Sequence, residues 1–74
     1  MIFDDIIQYV EQNFGVKVQN ERAANVLFMR VDGLDDASLA RYIQEKFDVY
    51  IVTKKIEGYK FYNNDWIKIT QCGF

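Results

Sequence analysis

Asp32, Asp35 and Asp36 fall within five consecutive positions of the chain. Carboxylates this close are the oxygen donors that a hard cation such as Mg²⁺ or Ca²⁺ takes. Their spacing matches no calcium loop, however, and an acid just ahead of an apolar-periodic stretch caps a helix and meets the positive end of its dipole. No metal is assigned to them. Asp4 and Asp5, at the start of another periodic stretch, are read the same way. Cys72 is the single cysteine and there is no histidine. A nucleophilic thiol therefore lacks its usual base, and neither an intramolecular disulfide nor a multi-cysteine zinc site can form. Gly33 and Gly58 stand alone, outside any phosphate-cradling spacing, and are read as turn residues. No catalytic group and no cofactor site emerges, and the chain is expected not to be an enzyme.

The C-terminal third holds a different set: Lys54, Lys55, Tyr59, Lys60, Tyr62, Trp66 and Lys68, lysines interleaved with aromatics. On one small sheet such residues can track a nucleic-acid backbone and stack bases. Four lysines are few, and strands alternate aromatic and charged residues simply to have one dry face and one wet face, so nucleic acid is the disfavoured partner. Tyr and Trp dominate protein interfaces, from whose centre lysine is depleted, and a protein is the expected partner. Tyr59, Lys60, Tyr62, Trp66 and Lys68 are placed at the contact. Asp35, Asp36 and Glu45 form a competing surface for a basic target.

Charge supports that division. The formal net charge of -2 splits into nine acids and five bases over residues 1–48 against two acids and four bases over residues 49–74. No apolar run approaches the ~18 residues that cross a bilayer, and Asp4 and Asp5 stand where a signal peptide carries lysines. Nothing directs the chain to membrane or export, and a cytoplasmic setting is expected.

The elements that must position these residues follow from periodicity. Phe3, Ile6, Ile7, Val10 and Phe14 recur at helical spacing, and Gly15 closes that helix. Residues 16–18 alternate as a short strand, and the polar stretch 19–25 reads as a loop. Residues 26–31, apolar except for Arg30, predict a central strand. Asp35 then caps a helix in which Leu39, Ile43 and Phe47 line one face, with Leu34 packing back on Leu39 as a hydrophobic staple. Residues 49–53 predict a second central strand, reached by a crossover that leaves it parallel to the first. Strands at 59–62 and 66–70, separated by the Asn63-Asn64-Asp65 turn, complete a meander. The expected fold is α+β, one compact domain over residues 1–74: two helices on one face of a small mixed sheet, in the order α-β-β-α-β-β-β.

This order resembles the C-terminal small domain of class V pyridoxal-phosphate enzymes, the aminotransferase and cysteine-desulfurase group. The likeness runs over residues 5–74: a helix, Gly15-Val16-Lys17-Val18, the strand ending at Gly33, an acid-capped helix, residues 48–52, and Trp66-Ile67-Lys68-Ile69-Thr70. The resemblance implies a fold, or a detached fragment of such an enzyme, and not an activity. In that family the cofactor lysine lies in a large domain that has no counterpart here, and Lys68 occupies the position where an arginine commonly meets the substrate carboxylate. A lysine there is a point charge without the bidentate fork. The expected function is therefore binding, as an inhibitor, adaptor or subunit, folded alone or with a copy of itself. Small phage-encoded inhibitors such as anti-CRISPR proteins are similar in size and acidic character. The alternatives are the enzyme fragment and a single-stranded nucleic-acid binder.

Overall fold

A computed structural model describes residues 2–53 and 65–71. The first helix, α1, spans Ile2–Phe14 and buries Phe3, Ile6 and Val10 along one face. Gly15, at φ +68, ends it by donating its N–H to the Glu11 carbonyl at 2.9 Å. That left-handed conformation is one a glycine takes without steric cost.

Two corrections follow directly. Residues 16–18 form no strand but a connection, in which Val18 is buried and its N–H donates to the Glu11 carboxylate at 3.0 Å. The polar stretch expected to be a loop is instead β1, Gln19–Ala23, which turns at Ala24 and Asn25 into β2, Val26–Arg30. The two pair antiparallel, with Ala23 opposite Val26 and Gln19 opposite Arg30. β1 is fully exposed and sits at the sheet edge. An edge strand held by backbone hydrogen bonds needs no dry side chains, and hydrophobic pattern does not betray it.

The turn from Val31 to Leu34 places Gly33 at φ +85 and closes with Leu34 N–H donating to Val31 C=O at 3.1 Å. Helix α2, Asp36–Gln44, follows as expected with Asp35 as its cap. Leu34 packs against the core cluster that contains Leu39, consistent with the staple. The regular helix stops at Gln44, and Phe47 is held beyond it by its N–H bond to Ile43 C=O at 2.8 Å.

Among the described residues, strands β3, Val49–Val52, and β4, Ile67–Gln71, complete a four-stranded sheet in the order β1-β2-β4-β3. The α+β class and the central place of residues 26–30 hold. The mixed pairing does not: every pair among the described strands is antiparallel. β2 and β3 run in the same direction, as the crossover requires, but β4 lies between them, and among the described residues β3 stands at an edge and not at the expected centre. Local sequence fixes the direction of a crossover strand and leaves open which strand fills the gap. The strand expected at 59–62 lies outside the described residues.

Both helices cover one face of the sheet. Phe3, Ile6 and Val10 from α1 and Leu39 and Ile43 from α2 pack on Leu27, Met29, Ile67, Ile69 and Val49. Alternate strand residues point the other way. On that face Val26 and Trp66 pack around Phe28, forming a second, smaller cluster.

Candidate functional site

Among the described residues, the sheet has one face sealed by helices and one left uncovered. On the uncovered face the strand registers set Glu21 opposite Phe28, Phe28 opposite Lys68, and Lys68 opposite Val52, a row that crosses all four strands. The next row runs Ala23, Val26, Thr70 and Tyr50. Phe28 is only 6% exposed although it faces away from the main core. Trp66 stays half-buried against it, whereas Tyr50 is 62% exposed. An anchored aromatic pair therefore lies on the same face as a ring that stands in water. An acid and a base flank Phe28 along its row. At the far end of β2, Arg30 is half-buried and donates to Asp32 at 2.6 Å.

Of the residues singled out from sequence, Trp66 and Lys68 lie on this face together. Tyr59, Lys60 and Tyr62 lie outside the described residues. Asp35, Asp36 and Glu45 belong to the helical layer on the opposite side, so the two expected surfaces are distinct. Nor do the three acids form a single cluster, because Asp35 and Asp36 stand at the start of α2 and Glu45 just past its end. Nine helical residues separate those ends by ~13 Å.

The acids around the turn are engaged by protein donors. Asp35 accepts from the Ser38 N–H at 3.0 Å and from its hydroxyl at 2.8 Å. These bonds hold its carboxyl below the usual carboxylate range, the hydroxyl bond first. Asp36 accepts from the Ala37 N–H at 2.7 Å. Asp32 accepts from Gln19 Nε2 at 3.0 Å as well as from Arg30, tying the ends of β1 and β2 together. Among the described residues no group of three or more His, Cys, Asp or Glu is placed to hold a metal ion, and no pocket is found.

Two aromatic features were not singled out. Tyr50 is the first: expecting residues 49–53 at the sheet centre hid that an edge strand leaves alternate side chains in water. Its signal was the alternation Val49, Tyr50, Ile51, Val52, in which only the odd positions join the core. The second is a seam between the helices. Tyr9 stacks on Tyr42 with ring centroids 5.1 Å apart, Phe47 meets Tyr9 edge-on at 5.5 Å, and Phe14 lies 4.7 Å from Tyr42. The Lys46 ammonium lies 5.7 Å over the Tyr9 ring. Their three- and four-residue spacings had marked Phe14 and Phe47 as core. Phe14 instead remains 39% exposed, and its ring extends the seam to the surface. Loss of water around the Tyr42 phenol, then its hydrogen bond and electrostatic interaction with Tyr9 and the nearby negative Glu45, pushes its ionisation up.

No protein-family model, no curated protein and no solved structure matches this chain.

Proposed function

We propose that the chain acts by binding another protein through the uncovered face of its sheet, as a small inhibitor, adaptor or subunit without catalysis of its own. The observation that supports this most is the contrast between Tyr50 and the Phe28–Trp66 pair. Phe28 is nearly dry with the half-buried Trp66 packed against it, and Tyr50, on the same face in the neighbouring row, is 62% exposed. Tyrosine combines large apolar area with a polar tip and few rotatable bonds, which makes it an effective anchor in a partner's surface. The Glu21 and Lys68 positions along the Phe28 row supply the charged margin that fixes orientation more than affinity. A nucleic acid would ask more of the cations. Arg30, at the end of β2, is already bound to Asp32.

Photo-crosslinking tests this reading. A crosslinking amino acid placed at Tyr50 should yield a defined adduct with the partner in extracts of the source cell, and one at Gln12 on the exposed side of α1 should not. Equal adducts from both positions, or an adduct from Gln12 alone, would discard the sheet face. Loss of the Tyr50 adduct on nuclease treatment would shift the reading to a nucleic-acid partner.

A further inference from the structure

Gln19 and Arg30 stand directly opposite one another at the ends of β1 and β2, and one carboxylate oxygen of Asp32 accepts from both side chains, at 3.0 and 2.6 Å. Arg30 shares the side of β2 that carries Phe28. The Asp32 side chain is 76% exposed, so water competes for both bonds and the clamp opens readily. Asp32 is also the one aspartate in the chain that precedes a glycine. Gly33 is exposed at φ +85, with open space where a side chain would stand. The turn is closed by the next residue, Leu34 N–H donating to Val31 C=O at 3.1 Å, and among the described residues the Gly33 N–H has no acceptor. An unshielded backbone nitrogen thus directly follows a side chain whose carboxyl carbon can reach it once the clamp lets go.

We infer that Asp32 is a self-modification site, where the side-chain carboxyl closes on the Gly33 nitrogen to form a succinimide at a rate set by the Gln19 and Arg30 bonds. The bond from Gly33 N to Asp32 Cγ forms, and one carboxyl oxygen leaves as water, taking the amide proton and the proton of the carboxylic acid. Water then adds to either ring carbonyl and opens the ring. One opening restores aspartate; the other leaves isoaspartate, with the chain running through the side-chain carbon. No co-reactant but water is needed. Glycine favours closure because it sets no Cβ beside the attacking nitrogen. Gln19 and Arg30 oppose it, because Cγ must swing from the strand ends toward Gly33 and both bonds break on the way. Isoaspartate lengthens the turn by one methylene and removes the oxygen that held both donors. Arg30 is then released on the side of Phe28, and β2 loses its fixed lead into α2. The chemistry is read without any partner and stands or falls apart from the proposed binding role.

The test is oxygen exchange in the full chain. After incubation at neutral pH in water enriched in oxygen-18 and digestion in ordinary water, the peptide holding Asp32 and Gly33 should carry label, since each ring opening takes its oxygen from solvent. Part of it should also resist the endoproteinase that cuts before aspartate. Peptides holding the other aspartates should stay unlabelled over the same time. Gln19→Ala, on the exposed edge strand, and Arg30→Gln should each speed labelling about threefold at unchanged circular dichroism, the factor that an exposed pair of this kind holds back. In urea the original chain should label faster than in buffer and no slower than either variant, a readout that does not depend on how the variants fold. Asp32→Glu, which would have to close a larger ring, should take up no label. No label at residue 32 in the folded chain, variants no faster than the original, or labelling as fast in buffer as in urea would each overturn the inference.

Discussion

Arg22 on the edge strand β1 pairs with Asp4 in the first turn of α1 while its guanidinium carbon lies 5.9 Å over the ring of Phe3. One side chain thus joins the outermost strand to the helical layer by charge and by apolar cover at once. Both charged side chains keep contact with water, at 38% and 63% exposure, and an ion pair so placed is worth only ~0.5 kcal/mol. The stem and flat face of the arginine contribute separately, by shielding Phe3. Asp4→Asn should therefore lower stability by about 0.5 kcal/mol in urea denaturation and Arg22→Ala by about 1.5 kcal/mol. Equal losses from the two substitutions would mean that the charge, and not the cover over Phe3, is what matters.

Ala24 occupies a left-handed conformation, φ +52, in the two-residue turn between β1 and β2. An L-residue with a Cβ is strained there by ~1 kcal/mol relative to glycine, and tight hairpins favour Gly, Asn or Asp at such positions. Ala24→Gly should raise the unfolding free energy by about 0.5 kcal/mol once the greater freedom of glycine in the unfolded chain is deducted. The check is a shift of the urea midpoint at unchanged slope. A lower midpoint would show that the turn tolerates its alanine at no cost.

Ile69 is fully buried in β4, between Leu27 on β2 and Ile51 on β3, and faces the helical layer. Its truncation to alanine leaves a cavity at the middle of the sheet and should cost about 3 kcal/mol. Tyr50→Ala, on the same sheet but in water, should stay within about 0.5 kcal/mol. Thermal unfolding of the two variants side by side measures the difference. If Tyr50→Ala proves as damaging as Ile69→Ala, the tyrosine belongs to the fold and not to a contact.

How far the sequence reveals this molecule depends on the range of the interaction concerned. The α2 cap was legible because Asp35 and Ser38 are three residues apart and their bonds are local. The apolar stripes of both helices were legible for the same reason. β1 was not, since its strand character lies in backbone pairing with β2 and none of its side chains is buried. The place of β4 between β2 and β3 was not legible either, because it is settled by pairing across some forty residues of sequence, Ile69 with Leu27. That long-range choice decides the site. Trp66 and Lys68 sharing a face followed from alternation alone, but Tyr50 joins them only because β3 lies beside β4, at the rim.

The Asp35 carboxyl is held below its ordinary value of 3.8 by the Ser38 hydroxyl and N–H. A carboxylate whose folded value is depressed adds stability above the unfolded value and loses it as pH falls through the folded one. Its contribution is therefore full at neutral pH and vanishes in acid below about 3.8. Because the group is exposed, water screens it and the effect is modest. Denaturation of the chain and of Asp35→Ala at neutral pH and in acid should show a stability gap that closes on acidification. A gap of constant size would place the effect in helix propensity and not in the charged cap.

Tyr42 titrates in the opposite sense. Its phenol is pushed above the ordinary 10.0, first by loss of water and then by Tyr9 and the negative Glu45. The neutral form is thus favoured by the fold, and the unfolded chain releases this proton at lower pH than the folded one. Stability tied to Tyr42 is fully present below pH 10.0 and is lost as pH rises through the raised folded value. The stacked Tyr9–Tyr42 rings join α1 to α2, so ionisation should loosen the seam between the helices before the sheet. In an ultraviolet titration of phenolate, Tyr42→Phe should remove a tyrosine that ionises above pH 10.0. In denaturation, the same substitution should flatten the fall in stability on the alkaline side. A Tyr42→Phe chain that loses stability above pH 10 as steeply as the original would assign the alkaline sensitivity to another group.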